Sequence, residues 1–290
     1  MKEEKLLEYV TRCDTDYIAD INFICRMMIT SALPYSKIDS NTYNRTSGNC
    51  KLSITNGYNG ILPYGSYPRV ILSWIITEAI RTKSREIYIG DSLSNFMKQL
   101  GILATGGKTG SFNRFKQQFI GLMTSNITYS FVDSRTKKSI VLNFHVADAI
   151  KFSSDNHDDF FKTKVVLDEL FFNEIIKYPI PVDKEALNVL MSSSLALDIY
   201  FWLTYKMSYI REETEISFAS LKSQFGFNYG DTKHGRYEFR RKFMAQLRFV
   251  LSLYNTAKVT INDDGICLYP SPTHVRKINS SPKNEQLSFK

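Results

Sequence analysis

The stretch RVILSWIITEAI (residues 69–80) returns as LALDIYFWLTYK (residues 195–206), and the segments behind the two copies decide the fold. Behind the first come an extended Glu86-Ile87 stretch, a short amphipathic segment closed by Gly101, a basic segment and two alternating stretches. Behind the second come Glu215-Ile216, a segment closed by Gly226, a second basic segment and two more alternating stretches. Trp74 and Trp202 stand 128 residues apart, Glu86 and Glu215 129, and Gly101 and Gly226 125. Three marks kept in register indicate a duplicated unit. Its order of helix, strand, helix, helix, strand, strand is that of a winged helix-turn-helix, whose third helix can lie in a DNA major groove. The expected fold class is α+β, mostly helical, with two tandem winged helix-turn-helix domains behind an N-terminal helical and hairpin extension.

Local patterns fill in the copies. In the first, Pro68 suits the opening turn of a helix that carries Val70, Ile71, Trp74, Ile75 and Ala79 inward. EIYIG (86–90) reads as a strand. Asp91 or Ser92 caps SLSNFMKQL, whose buried stripe is Leu93, Phe96, Met97 and Leu100. NITYSFVD and SIVLNFHV alternate around SRTKK (134–138), a basic wing. In the second copy the hairpin AKVTINDDGICLYP is expected to turn at Asp264/Gly265. Upstream, residues 1–33 read as two amphipathic helices, one with Leu6, Leu7 and Val10, the other with Ile18, Ile21, Ile24 and Met28. TYNRTS and CKLSIT around Gly48-Asn49 read as a hairpin. The expected divisions are 1–60 for the extension, 61–150 for the first winged domain, 151–183 for a connection, 184–272 for the second winged domain, and 273–290 for a mobile polar tail.

Composition narrows the classes. The 290 residues are 43% hydrophobic and 13% aromatic, as expected of a folded chain with room for two cores. Glu78 and Asp198 interrupt the longest apolar runs, so no membrane span is expected. The opening MKEEKLLEYV mixes charge signs where a signal peptide needs an apolar stretch, which predicts a cytoplasmic protein. Cys13, Cys25, Cys50 and Cys267 form no CxxC pair and read as reduced thiols, so neither a metal site nor a cofactor is expected.

The net charge of +8 is concentrated. Residues 81–120 carry a net +5 and residues 231–250 a net +4, one block on each copy's helix-turn-helix region. That placement is the footprint of a phosphate-binding surface. On the second basic helix, Phe239, Phe243, Leu247, Val250, Leu251 and Tyr254 fall on the core side. Glu238, Arg241, Lys242, Ala245 and Arg248 fall opposite, with Lys233, His234, Arg236 and Arg240 towards the N-terminal end. Arginine suits bidentate contacts with guanine or phosphate, and lysine a phosphate anchor. On the first basic helix Phe112, Phe115, Phe119, Leu122 and Met123 read as core, and Ser111, Asn113, Arg114, Gln117 and Gln118 as an outward face able to pair with adenine. Lys108 in the glycine-rich turn, with Arg135, Lys137 and Lys138 in the wing, completes the expected duplex-DNA contacts.

Enzymatic signatures are missing. GILATGGKTG (101–110) departs from a P-loop, because position 102 is Ile102 where the motif needs its first glycine, and the loop succeeds a helix rather than a strand. His157 beside Asp158 and Asp159 reads as an exposed acidic loop. No nucleophile, base and orienter are spaced for catalysis, and a non-enzyme is expected.

The segment LPYGSYPRVILSWIITEAIRTKSRE (62–86), with IGDSLSNFMKQLGI and TGG after it, resembles the plasmid-encoded RepA family of replication initiators. The likeness continues through PVDKEAL, LALDIYFWLTY, FRRKF (239–243) and DDGICLYPSP, across roughly residues 40–275. The resemblance implies binding to origin DNA at repeated sites (iterons), recruitment of the host initiator and the helicase or its loader, autorepression, and a monomer–dimer balance with a homodimeric form. The alternative expectation is a transcriptional repressor using the same surfaces. Gln286, Leu287 and Phe289 look like a shortened version of the peptide with which bacterial proteins dock on the sliding clamp.

Overall fold

A computed structural model of the chain describes residues 21–30, 32–58, 60–107, 110–132, 138–151 and 162–275. Lys108, Arg135, Lys137, the helix expected around Leu6, the loop of His157 and the tail of Gln286, Leu287 and Phe289 lie outside the described residues.

Both copies keep the expected element order. The first runs through α2 (Ser66–Thr82), β4 (Glu86–Gly90), α3 (Leu93–Gln99), α4 (Ser111–Thr124), β5 (Asn126–Val132) and β6 (Ser139–His145). Before it come β1 (Ile21–Ile24), α1 (Arg26–Thr30), β2 (Thr42–Ser47) and β3 (Cys50–Thr55). After it come β7 (Ala147–Lys151), β8 (Thr163–Leu167), α5 (Glu169–Lys177) and β9 (Ile180–Asp183). The second copy comprises α6 (Lys184–Leu190), α7 (Ser194–Tyr209), β10 (Thr214–Ser217), α8 (Phe218–Phe225), α9 (Lys233–Leu253), β11 (Val259–Ile261) and β12 (Gly265–Leu268).

The duplication extends to the packing. Trp74 meets Phe96 edge to face at 4.7 Å, and Phe96 meets Phe115 at 5.6 Å. In the second copy Trp202 meets Phe225 at 5.7 Å, and Phe225 meets Phe243 at 5.5 Å. One aromatic chain thus ties the three helices of each copy through equivalent positions, which locks their mutual angles. The matched glycines act differently. Gly101 ends α3 at φ 69, a left-handed turn that favours glycine. Gly226 has an ordinary φ of −107, but a Cβ there would lie 2.7 Å from Cδ2 of Phe239.

The strands pair differently in the two copies. In the second, β10, β12 and β11 form one antiparallel sheet, so the first strand and the closing hairpin share hydrogen bonds. In the first, β5 and β6 instead extend the β2–β3 hairpin into a four-stranded sheet, β2-β3-β5-β6. β4 pairs with β8, and β8 with β7. Residues 163–183, expected as a connection, are therefore stitched back into the first copy. α5 supports this with Phe171 stacked on Phe144 of β6 at 5.9 Å.

Two local expectations are corrected. Ile21 and Ile24 lie on a strand, not a helix: β1 pairs antiparallel with β9, Ile21 facing Asp183 and Ile24 facing Ile180. Helix α2 fixes that strand, because Thr77 Oγ1 accepts from Phe23 N at 2.8 Å and Ser73 Oγ donates to Phe23 O at 3.1 Å. Partners far along the chain override the local spacing, and the helix around Met28 is confined to α1. The second correction concerns the closing hairpin, whose turn lies at Asn262–Asp264. There the Asn262 carboxamide oxygen accepts from the amides of Asp264 (3.1 Å) and Gly265 (2.7 Å). Gly265 begins β12, and a Cβ on it would stand 2.1 Å from the Ile216 carbonyl oxygen.

The copies meet along α2, α7 and the chain between α1 and β2. Arg69 and Asp198, 2% and 3% exposed, form a bidentate pair at 2.7 and 2.8 Å. Ser66 Oγ lies 3.2 Å from Ser194 Oγ, each serine opening its own helix and the two standing 128 positions apart. No helix among the described residues is long and apolar enough to cross a membrane.

Candidate nucleic-acid interface

Helix α9 carries the larger basic face. Thr232 caps it by accepting from Gly235 N at 3.1 Å, and Gly235 packs so tightly that a Cβ would meet the Gly230 carbonyl at 2.2 Å. Phe239, Phe243, Leu247, Val250 and Leu253 are buried on the inner side. Lys233, His234, Arg236, Arg241, Lys242 and Arg248 are exposed and Arg240 is half-buried, as the periodicity predicts. Register on the aromatic chain pairs Phe243 with Phe115, and α4 begins only at Ser111. The segment from Lys233 to Glu238 is therefore an N-terminal extension of α9 with no counterpart on α4.

Several of these cations have partners. Arg236 donates through Nη1 to the Asp231 carbonyl, which holds it at the helix start. Arg240 lies over the Phe218 ring at 4.5 Å and 3.5 Å from Asp263 of the β11–β12 turn, so it belongs to the side facing the hairpin. Lys242 stands 5.7 Å from the Tyr229 ring centre. Arg241 is bound by Glu238, Nη2 to Oε2 at 2.8 Å and Nε to Oε1 at 3.2 Å. The hydrogen bond from Arg241 holds the Glu238 carboxyl below the usual carboxylate range, and the same bond raises Arg241 further. Both side chains are charged at neutral pH.

Tyr237, which the charge pattern does not single out, is 62% exposed on the same surface, one helical turn from Lys233 on one side and Arg241 on the other. Its spacing carries the signal. An aromatic in a basic helix reads as core unless its angular position is tested against the buried stripe.

Helix α4 offers a narrower face than expected. Asn113, Arg114 and Gln117 are exposed. Ser111 and Gln118 are buried, at 7% and 4% exposure, and do not belong to the outward set. Ser111 closes a clasp with the glycine-rich turn: its Oγ accepts from Thr105 N at 2.8 Å and donates to the Leu103 carbonyl at 2.6 Å, while Thr105 Oγ1 accepts from Ser111 N at 2.9 Å. Gln118 Oε1 accepts from Tyr64 N at 2.7 Å, satisfying a backbone amide ahead of α2. Phe112, expected as core, is half-buried. Asn113 Nδ2 donates to the Gly107 carbonyl at 3.1 Å, so it braces the same turn from outside. Lys138 is exposed at the foot of β6. Among the described residues no group of three His, Cys, Asp or Glu is gathered to hold a metal ion.

Residues 62–220 match the family model described as plasmid encoded RepA protein, which is more than half of the chain. The chain belongs to the RepA family. The match spans the whole first copy, the interdomain pair Arg69–Asp198 and the second copy as far as α8. This RepA-family fold is similar to the crystal structure of domains 2 and 3 of RctB, with a TM-score of 0.54 at 10% identity over 84% of this chain and 96% of that one. A second structure of the same RctB domains gives 0.49 at 11% identity, over 83% and 94%. Among proteins of curated description, none matches the sequence.

Proposed function

We propose that this protein is a plasmid replication initiator that marks its origin by reading repeated duplex sites and then recruits the host initiator, the helicase or its loader, and the sliding clamp. The observation that carries the reading is the exposed side of α9, where Lys233, His234, Arg236, Arg241, Lys242 and Arg248 share a helix whose opposite side is buried. A rigid helix bearing arginine forks suits major-groove base edges, and the flanking lysines suit phosphates. Each copy is read as a winged helix-turn-helix: in the second the β11–β12 hairpin is the wing, and in the first β5–β6 plays that part within a larger sheet. Helix α4, with Asn113, Arg114 and Gln117, supplies the smaller second reader, so one monomer covers two successive groove faces about one helical turn apart.

The test has two stages. Footprinting on DNA flanking the coding region should protect directly repeated sites, with two protected groove faces per monomer. A plasmid carrying that DNA should replicate only when this protein is supplied in trans. Protection without replication would instead make the chain a repressor, and no protection at all would end the DNA-binding reading.

A further inference from the structure

We propose that Glu238 is a specificity-determining residue that acts through Arg241, turning that arginine into a reader of one guanine while keeping it off phosphates. The inference rests on the DNA-reading role of α9. A guanidinium has five N–H donors, four of which form two forks, one on the side (Nε and one Nη) and one at the end (both Nη). Glu238 fills the side fork, with Nε–Oε1 at 3.2 Å and Nη2–Oε2 at 2.8 Å. The end fork stays open to an outside acceptor, on a side chain 57% exposed. Two acceptors at the spacing of guanine O6 and N7 match that fork.

The pair contributes little as a helix support, since an exposed i,i+3 ion pair stabilises a helix only marginally. Its consequence for binding is larger. A long side chain held in one rotamer loses less freedom on docking, so the correct base gains. The carboxylate also sits beside His234 and Lys242, in a field otherwise favourable to phosphate, and its charge penalises any approach that brings a phosphate to Arg241. Random duplex, held through its backbone, loses affinity; a site presenting guanine keeps it.

The probes are a randomised duplex library, for selecting and reading the preferred site, and a duplex of shuffled sequence. Glu238→Gln, which keeps the size and loses the charge, should tighten shuffled duplex roughly three- to tenfold and steepen its salt slope by about 1. It should lower the preference for the selected site by about tenfold, relaxing the same base position that Arg241→Ala relaxes. In an Arg241→Ala background Glu238→Gln should change the preference no further. Thermal melting of each variant checks that the fold is kept, and a melting shift with an unchanged preference overturns the proposal. Relaxation at a base position different from that of Arg241→Ala also overturns it, because Glu238 would then read a base itself. If the unsubstituted protein shows no preference for any library sequence, the DNA-reading role of α9 fails. If it shows a preference that Glu238→Gln leaves intact, only the role of Glu238 fails.

Discussion

Arg69 and Asp198 bind each other through two hydrogen bonds with both side chains almost wholly buried, and each stands on the first long helix of a different copy. The guanidinium also donates to the carbonyls of Leu33 (2.7 Å), Gly65 (2.6 Å) and Pro34 (3.4 Å), so one cation gathers both copies and the chain leading into the β2–β3 hairpin. A buried charge is tolerated when it is this fully partnered.

Removing one partner should therefore be severe. Arg69→Ala leaves an uncompensated buried carboxylate and is expected to cost about 3 to 5 kcal/mol in urea unfolding. Arg69→Met with Asp198→Leu should recover only part of this, because the Leu33 and Gly65 carbonyls still lose this donor. A loss below about 1 kcal/mol in the single variant would show that water enters the junction freely.

The two glutamines of α4 should separate cleanly. Gln118→Ala leaves the Tyr64 amide without its acceptor and should destabilise the protein by about 1 to 3 kcal/mol, with base preference intact. Gln117→Ala should do the reverse, sparing the melting temperature and changing the preferred sequence at one position. Comparing melting curves with library selection checks both.

On α9, Arg241→Ala should weaken the selected site by about 1 to 3 kcal/mol and shuffled duplex by less. Lys242→Ala should weaken both alike and lower the salt slope by about 1. Titrations at several salt concentrations distinguish the two roles. Equal losses for Arg241→Ala on both duplexes would make it a phosphate contact.

The protein should lose stability in mild acid through His274. Burial pushes this imidazole down to about 4, opposed by a hydrogen bond to the Leu253 backbone. It stacks on Tyr254 at 4.6 Å, and Nδ1 faces the Tyr200 hydroxyl at 2.8 Å. That hydroxyl also accepts from Asp183 N, which ties the imidazole to the end of β9. Below the unfolded value near 6.5 the unfolded chain binds a proton that the folded one refuses, and stability falls as pH drops towards 4, by up to about 1.4 kcal/mol per pH unit. His274→Phe should flatten that part of the urea-stability profile.

Much of this architecture can be read locally. The helices arise from buried residues recurring every three or four positions, and the caps from Ser92, Ser217 and Thr232 standing just before them. Partnership between strands cannot be read that way. An alternating stretch such as SIVLNFH declares which side faces inward, yet the same alternation would serve beside β4 or beside β5. β4 joins β8 because the segment after residue 162 returns to it, and nothing in EIYIG announces that. The polar residues that left the outward face of α4 share one cause. Ser111 and Gln118 satisfy backbone groups of loops that the helix covers, and such needs become visible only when the loops are in place. Arg241 and Arg248 were legible because α9 is exposed along its whole outer side.

The pairing of β1 with β9 also orders events in time. Phe23 faces Pro181, so the partner of this strand is delivered more than 150 residues after it during synthesis. Before then Ser73 and Thr77 of α2 can already bond the Phe23 backbone. The strand pairing around the first copy is thus completed only as the second copy begins to emerge.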